Sequence, residues 1–359
     1  MTAPVRIGVL RDVPTPPEHD LGMNAMRLAL DAANASGGLH GRPIELVVAE
    51  AQRSAAGSHA NVAATQAAWE ALADDPRVLA MIGPSTTPCI LALHPSIEAR
   101  EMPAIHWAGT DRACGPWTFQ FQAGSLSEEG PALAYLAAHK GLRKVACFRG
   151  SGDYGAAYLG PFRRAAEALG IAIAAELSLA PDGSDIDAAV AAARASGADA
   201  VVAMGLFFLG VPLARAITAQ DWQVPCFGNC GFALAAARDA EARAALSGWI
   251  ATDMVDPCNS VATDMFDRYA AHHGTRPAGA SACFGYDLMQ LMLAGVAHAP
   301  ALTRAGIRAG LEAVRGLPCA TGGAGSWMGF GPDERKALKG PRLFLFSAIA
   351  ADGLHPVPA

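Results

Sequence analysis

The chain has 359 residues, 52% of them hydrophobic and 17% charged, with a formal net charge of -6 and an isoelectric point near 5.9. This composition excludes a disordered chain, and the length suggests two or three domains of about 100 to 200 residues. With 27 Lys and Arg against 33 Asp and Glu, and no basic run, it also speaks against nucleic acid as a partner.

Strand-like and helical runs alternate from the start: Val5 to Leu10, Asp20 to Ala35, Ile44 to Ala49, Ala60 to Ala73, Val78 to Ile82 and Ile90 to Arg100. Such alternation predicts an α/β fold with a parallel sheet covered by helices on both faces. After a strand over Thr118 to Gln122 the rhythm restarts: Pro131 to His139, Val145 to Phe148, Tyr158 to Ala168, Ile171 to Leu177, Ile186 to Ala195, Ala200 to Met204 and Val211 to Gln220. A second lobe is therefore expected from residue 122. The remainder is less regular, with strands at Trp249 to Met254 and Leu343 to Ala350 and helices at Thr263 to His273 and Tyr286 to Ala297. The longest apolar stretch, Val201 to Ala214, is shorter than the roughly 20 residues a spanning helix needs, so the chain is not expected to span a membrane. The first strand follows Met1 with no charged and apolar leader between them. The expectation is a periplasmic protein if a signal peptide has been removed and a cytoplasmic one otherwise.

Ligands of open parallel sheets bind beyond the carboxyl ends of the strands. After Val78 to Ile82 the chain reads Gly83, Pro84, Ser85, Thr86, Thr87, Pro88. Thr86 or Thr87 suits an N-cap and Pro88 the first helical turn, leaving hydroxyls and N–H groups free for an anion or carboxylate, or simply capping the helix. Trp107, Ala108, Gly109 and Thr110 follow the next strand and fit a ligand-facing loop, with core packing the competing reading of Trp107. Gly150, Gly152 and Gly155 spell GxGxxG, with Glu176 downstream, in the manner of a dinucleotide-binding turn. Asp153 and Tyr154 would crowd a pyrophosphate there, and the turn opens the second lobe rather than the first. No cofactor is therefore expected. The sequence has no GxSxG, P-loop or HExxH, and its eight cysteines lack CxxC spacing; neither a catalytic set nor a zinc site is expected. Asp12, Asp20 and Asp111 read as solvated or capping acids.

The order of RIGVL at 6–10, AANASGGLHGRPI at 32–44, IGPST at 82–86, MPAI at 102–105 with Ala108 to Asp111, DYG at 153–155 and GADAV at 197–201 resembles the type I periplasmic solute-binding proteins, in the branched-chain amino acid and amide (Leu/Ile/Val-binding) group that serves ABC transporters. The resemblance implies two doubly wound parallel-sheet lobes joined by a three-crossing hinge, residues 1–121 plus 252–325 and 122–251 plus 326–359, closing on a small ligand. It implies that Ser85 and Thr86, with Ala108 to Thr110, grip the ligand's carboxylate or amide, that Tyr154 and Phe207 or Phe208 close over it, and that His19 lies on the first-lobe rim. Amino-acid binders of the group carry an acid after the strand matching Val224 to Phe227, where this chain has Gly228, Asn229, Cys230 and Gly231. Without that acid, unless Asp153 or Asp253 substitutes, a buried ammonium costs several kcal/mol. The expected ligand is an amide, a small carboxylate or an aromatic acid rather than a free α-amino acid, with Asn229 and Cys230 at the site. The expected partner is a membrane permease. The alternatives are a cytoplasmic ligand sensor of the same fold that regulates a partner protein, and an NAD-dependent oxidoreductase using the three glycines.

Overall fold

The computed structural model describes residues 3–13, 15–52, 61–121, 125–205, 207–340 and 342–357, leaving out the side chains at 18 and 207. The chain divides into two compact units, Met1–Ala123 with Pro257–Leu343, and Gly124–Asp256 with Phe344–Ala359.

In the first unit, the near-continuous apolar run Val5–Arg11 forms β1, with Val5, Ile7, Val9 and Leu10 all buried. A run buried on both faces is what a parallel strand covered by helices needs. It pairs in parallel with β2 (Ile44–Glu50) and β3 (Val78–Ile82), and β4 (Ala104–His106) and β5 (Thr118–Gln120) follow in parallel. The order is β2-β1-β3-β4-β5, so the direction of winding reverses between β1 and β3. Gln122, the expected end of β5, lies outside the described residues. Helix α1 (Leu21–Ala35) starts at Asp20, whose carboxylate accepts from the Met23 N–H, and buries Gly22, Met23, Met26, Ala29 and Leu30, the i, i+3, i+4, i+7 stripe of a surface helix. Helices α2 (Val62–Ala73) and α3 (Thr87–Ala99) complete the first βα repeats.

In the second unit, α4 (Leu126–His139) precedes β6 (Lys144–Gly150), α5 (Asp153–Ala168), β7 (Ala172–Leu179), α6 (Ile186–Ala195), β8 (Ala200–Met204), α7 (Gly210–Ala219), β9 (Cys226–Gly228), α8 (Cys230–Arg238), α9 (Ala240–Ala245) and β10 (Ile250–Asp253). Val145, Cys147, Ala200, Val202 and Met204 join one core, while Ala146, Phe148, Val201 and Ala203 join another. This two-residue alternation places helices on both faces of one sheet.

The first unit then resumes with α10 (Ser260–His273), α11 (Ser281–Ala297), α12 (Arg304–Ala313) and the short strands β11 (Leu317–Pro318), β12 (Trp327–Met328) and β13 (Leu338–Lys339). Strands β14 (Leu345–Ala350) and β15 (Gly353–Val357) close the second sheet, whose order is β15-β14-β10-β9-β8-β6-β7, the last two strands of the sequence being antiparallel. Two expected boundaries move. Residues 326–343 stay in the first unit, past the expected boundary at 326, because β12 pairs with β11 and β13 with β12, and the Gln120 backbone exchanges hydrogen bonds with Arg335 and Ala337. Residues 252–256 stay in the second, because β10 is held between β9 and β14. Helices α8, α9 and α12 lie outside the elements expected from the sequence.

Candidate functional site

Parallel strands deliver all their carboxyl ends to one edge, and in the first unit the crevice between β1 and β3 is the topological switch point. Gly83 shapes the turn after β3: its φ is +105°, and a Cβ there would sit 2.2 Å from the Leu10 carbonyl oxygen. A residue with a side chain could not make that approach. The turn thus brings Ser85 and Thr86 against Asp12, the second residue after Leu10. The Ser85 N–H and hydroxyl donate to Asp12 Oδ1 at 2.9 and 2.7 Å, and those of Thr86 donate to Oδ2 at 2.8 and 2.7 Å. Asp12 is 4% exposed; rather than being solvated, it is locked at the start of α3. Thr86 is the N-cap, but its hydroxyl serves Asp12 and makes no capping bond to a backbone N–H of the helix. The donors expected to be free are therefore committed, although Ser85 and Thr86 themselves remain half-buried. Thr87 is buried with no partner for its hydroxyl, and the thiol of Cys89, pushed up by burial, lies beneath Thr86 and Asp12.

The loop after β4 is tied to this one by the Trp107 N–H, which donates to the Pro84 carbonyl at 3.3 Å. The Gln120 amide supports it through a 2.9 Å bond to the Ala108 carbonyl. Trp107 is half-buried, whereas Ala108, Gly109 and Thr110 are buried; the Thr110 hydroxyl accepts from the Arg112 N–H at 3.3 Å and caps the short turn that follows. His19 ends a 3-10 turn and is exposed. Beside it, Asp20 and Glu50 both pair with the Arg11 guanidinium.

Beneath this edge His106 is completely buried, and neither ring nitrogen has a partner. Burial, then the neighbouring His94, lowers its pKa to about 3. The folded state therefore holds it neutral while the unfolded chain protonates near pH 6.5, so stability present above that pH is lost as the pH falls toward 3. Replacing His106 by leucine removes two unsatisfied polar atoms. We expect His106→Leu to be more stable at pH 7 by about 1 kcal/mol, with a further gain of about 2 kcal/mol at pH 5. Urea unfolding at both pH values tests this, and a destabilised variant with an unchanged acid slope would refute it.

In the second unit the winding reverses between β6 and β8; Tyr154 lies in the first turn of α5, which follows β6, and Asn229 and Cys230 are the N-cap and first residue of α8, which follows β9. The Asn229 amide donates to the Tyr154 hydroxyl at 3.1 Å, and its oxygen accepts from the Gly205 N–H at 3.1 Å. Asn229 is fully buried and thus fixes the half-buried Tyr154. Phe207 belongs to a 3-10 turn, Phe207–Leu209, but its side chain lies outside the described residues.

Sequence reasoning missed Glu129. It projects from the first turn of α4, is 0% exposed, and accepts from the Cys230 N–H, the Cys230 thiol and the Thr252 hydroxyl. Burial raises its pKa. The loop that lacks an acid in its own sequence thus meets one from a distant helix, already engaged by three donors. Asp153 is exposed, whereas Asp253 is buried, accepts from the Ser347 hydroxyl at 2.8 Å and acts electrostatically on the Cys230 thiol. A Glu next to a Glu at a helix start reads as a solvated first-turn acid; nothing local marks Glu129 for burial. The Cys230 thiol is only 8% exposed and burial holds its pKa well above the usual range, so it stays protonated and weakly nucleophilic. Among the described residues no His, Cys, Asp and Glu cluster could hold a metal ion, and no helix is long and apolar enough to cross a membrane.

The sequence matches the family model described as periplasmic binding protein over residues 4–335. A search of the curated proteins found no match. Solved structures that resemble it include a periplasmic binding protein type 1 from Bordetella pertussis Tohama I, 20% identical with a TM-score of 0.86 over 99% of this chain and 100% of that one. Another is the branched-chain amino acid transporter substrate binding protein LivJ from Streptococcus pneumoniae in complex with isoleucine, 18% identical with a TM-score of 0.82 over 99% of both chains. A fatty acid ABC transporter substrate-binding protein from Thermomonospora curvata is 20% identical, with a TM-score of 0.77 over 99% of this chain and 91% of that one. With the family model spanning nearly the whole sequence and two switch-point sheets to match it, the chain belongs to the periplasmic binding protein family and has the type I fold.

Proposed function

We propose that the protein is the solute-binding component of an ABC transporter, taking up a small polar solute in the periplasm and passing it unchanged to a membrane permease. The observation that carries this reading is that the switch point of each sheet ends in half-buried polar or aromatic side chains, Ser85, Thr86 and Trp107 in one unit and Tyr154 in the other. These are the ligand contacts of the proposal, joined by His19; the buried Thr110, Asn229 and Cys230 position them. A buried, protonated Cys230 thiol offers no nucleophile for turnover. The neighbours' printed ligands, isoleucine for one and a fatty acid for the other's transporter, show that the fold alone does not choose the solute.

The test is a thermal-shift screen on protein unfolded and refolded to strip carried-over ligand, against aliphatic amides, ureas, amino acids and small carboxylic acids. A solute at about 100 times its dissociation constant adds about 2.7 kcal/mol, a rise of roughly 4 °C for a chain of this size. Ser85→Ala and Tyr154→Ala should each reduce that rise without changing the fold. A flat panel, or chemical conversion of the bound solute, would contradict the proposal.

A further inference from the structure

The start of a helix with two hydroxyls and two free N–H groups is a ready site for an anion. In this chain the anion is its own Asp12. Each Asp12 oxygen accepts two hydrogen bonds from Ser85 and Thr86, which fills the four lone-pair sites of a carboxylate. Both hydroxyl hydrogens point to Asp12, so Ser85 Oγ and Thr86 Oγ1 have lone pairs left to offer and no hydrogen. Their residues remain half-buried, within reach of a ligand. An independent observation lies at the same helix start: the Thr87 hydroxyl is buried and unpartnered. The charge at this edge has the same sense, since Asp12 lies next in sequence to Arg11, whose guanidinium is shared by two further carboxylates, Asp20 and Glu50.

We propose that Asp12 inverts the polarity of the first unit's ligand site, so that the solute approaches Ser85 and Thr86 with an N–H donor, an amide, urea or ammonium group, and not with a carboxylate. Asp12 is then the specificity-determining residue. A ligand carboxylate would meet lone pairs and a negative charge within a few ångströms; an N–H would meet acceptors held in place. This rests on the binding role proposed above and specifies its chemistry.

The experiment compares the wild type with Asp12→Ala in three probes that share an isopropyl body, the isosteric pair isobutyramide and isobutyrate and the slightly smaller isobutylammonium, at matched ionic strength, read by calorimetric titration. Expected is binding of the amide or the ammonium to the wild type, the better of the two identifying the donor, with isobutyrate at least tenfold weaker. Asp12→Ala, which frees four donors, should bind isobutyrate at least tenfold better than the wild type does. Isobutyrate binding to the wild type as strongly as the amide, or an Asp12→Ala variant that folds and gains no isobutyrate affinity, overturns the inference. Should the variant not fold, crystals of the wild type soaked in isobutyrate decide: a carboxylate on Ser85 and Thr86 overturns the inference, and its absence there supports it. A flat solute screen would count against the binding role, whereas the isobutyrate gain of Asp12→Ala judges the inference separately.

Discussion

Replacing Gly285 by alanine is expected to cost the first unit about 3 kcal/mol, because α11 and α1 touch there through backbone. A Cβ on Gly285 would lie 1.9 Å from the Gly22 carbonyl oxygen and 2.7 Å from the Gly22 Cα. No rotamer relieves a contact with backbone, so one helix must move. The gain in helix propensity, up to about 1 kcal/mol, offsets only part of this. α1 cannot yield cheaply: it buries Met23, Met26 and Leu30 and starts from the Asp20 cap. Gly22→Ala is the control, since its Cβ would meet Ser281 O at 3.3 Å and the Trp107 ring at 3.7 Å, contacts that small shifts accommodate. Urea unfolding should therefore rank Gly285→Ala well below Gly22→Ala and the wild type; equal midpoints would show that the helices separate freely. Because Gly22 adjoins Trp107, a displaced α1 should also weaken solute binding in the Gly285 variant.

The second large effect is a pH dependence centred on Asp287. This residue sits in α11, is fully buried, and accepts from the Ala320 and Thr321 N–H groups at 2.9 and 2.8 Å. Burial nevertheless raises its pKa from 3.8 to about 7. Between these values the folded state keeps a proton that the unfolded chain has lost. Stability is therefore greatest below about pH 4 as far as this group is concerned, and falls as the pH rises to 7, by about 4 kcal/mol in all. His106 acts in the opposite sense below pH 6.5, so the wild-type curve alone does not isolate Asp287. The difference between the wild type and Asp287→Asn does: the wild type's advantage should shrink by several kcal/mol from pH 4 to pH 8, as followed by urea denaturation. Parallel curves would mean that Asp287 does not change charge in that range.

The strand-end loops show how far local sequence reaches. Val5 to Leu10 and Val78 to Ile82 declare themselves because a run of β-branched and other apolar residues bounded by Gly and Pro has few other stable uses. The loop from Gly83 to Pro88 could be placed at a strand end and a helix start from its residue types alone, and so could Trp107 to Thr110. What the hydroxyls of Ser85 and Thr86 bind could not, since their partner Asp12 is 73 and 74 residues away. Likewise the absence of an acid in Gly228 to Gly231 was plain, whereas Glu129, 101 residues before Cys230, carries no local mark.

The sequence by itself determined the alternation of strands and helices, the placing of Ser85, Thr86 and Trp107 to Thr110 after strand ends, and the family. These depend on patterns within a few residues, on period, caps and turn chemistry, and on the order of such patterns along the chain. The tertiary structure alone decided which carboxyl groups fill the helix starts, which thiol and imidazole are kept neutral, and that residues 326–343 stay with the first unit. Those outcomes follow from burial and from contacts between distant segments: desolvation raises the pKa of Glu129 and Asp287 and lowers that of His106, and a hydrogen-bond donor has no preference among acceptors until packing brings one within 3 Å.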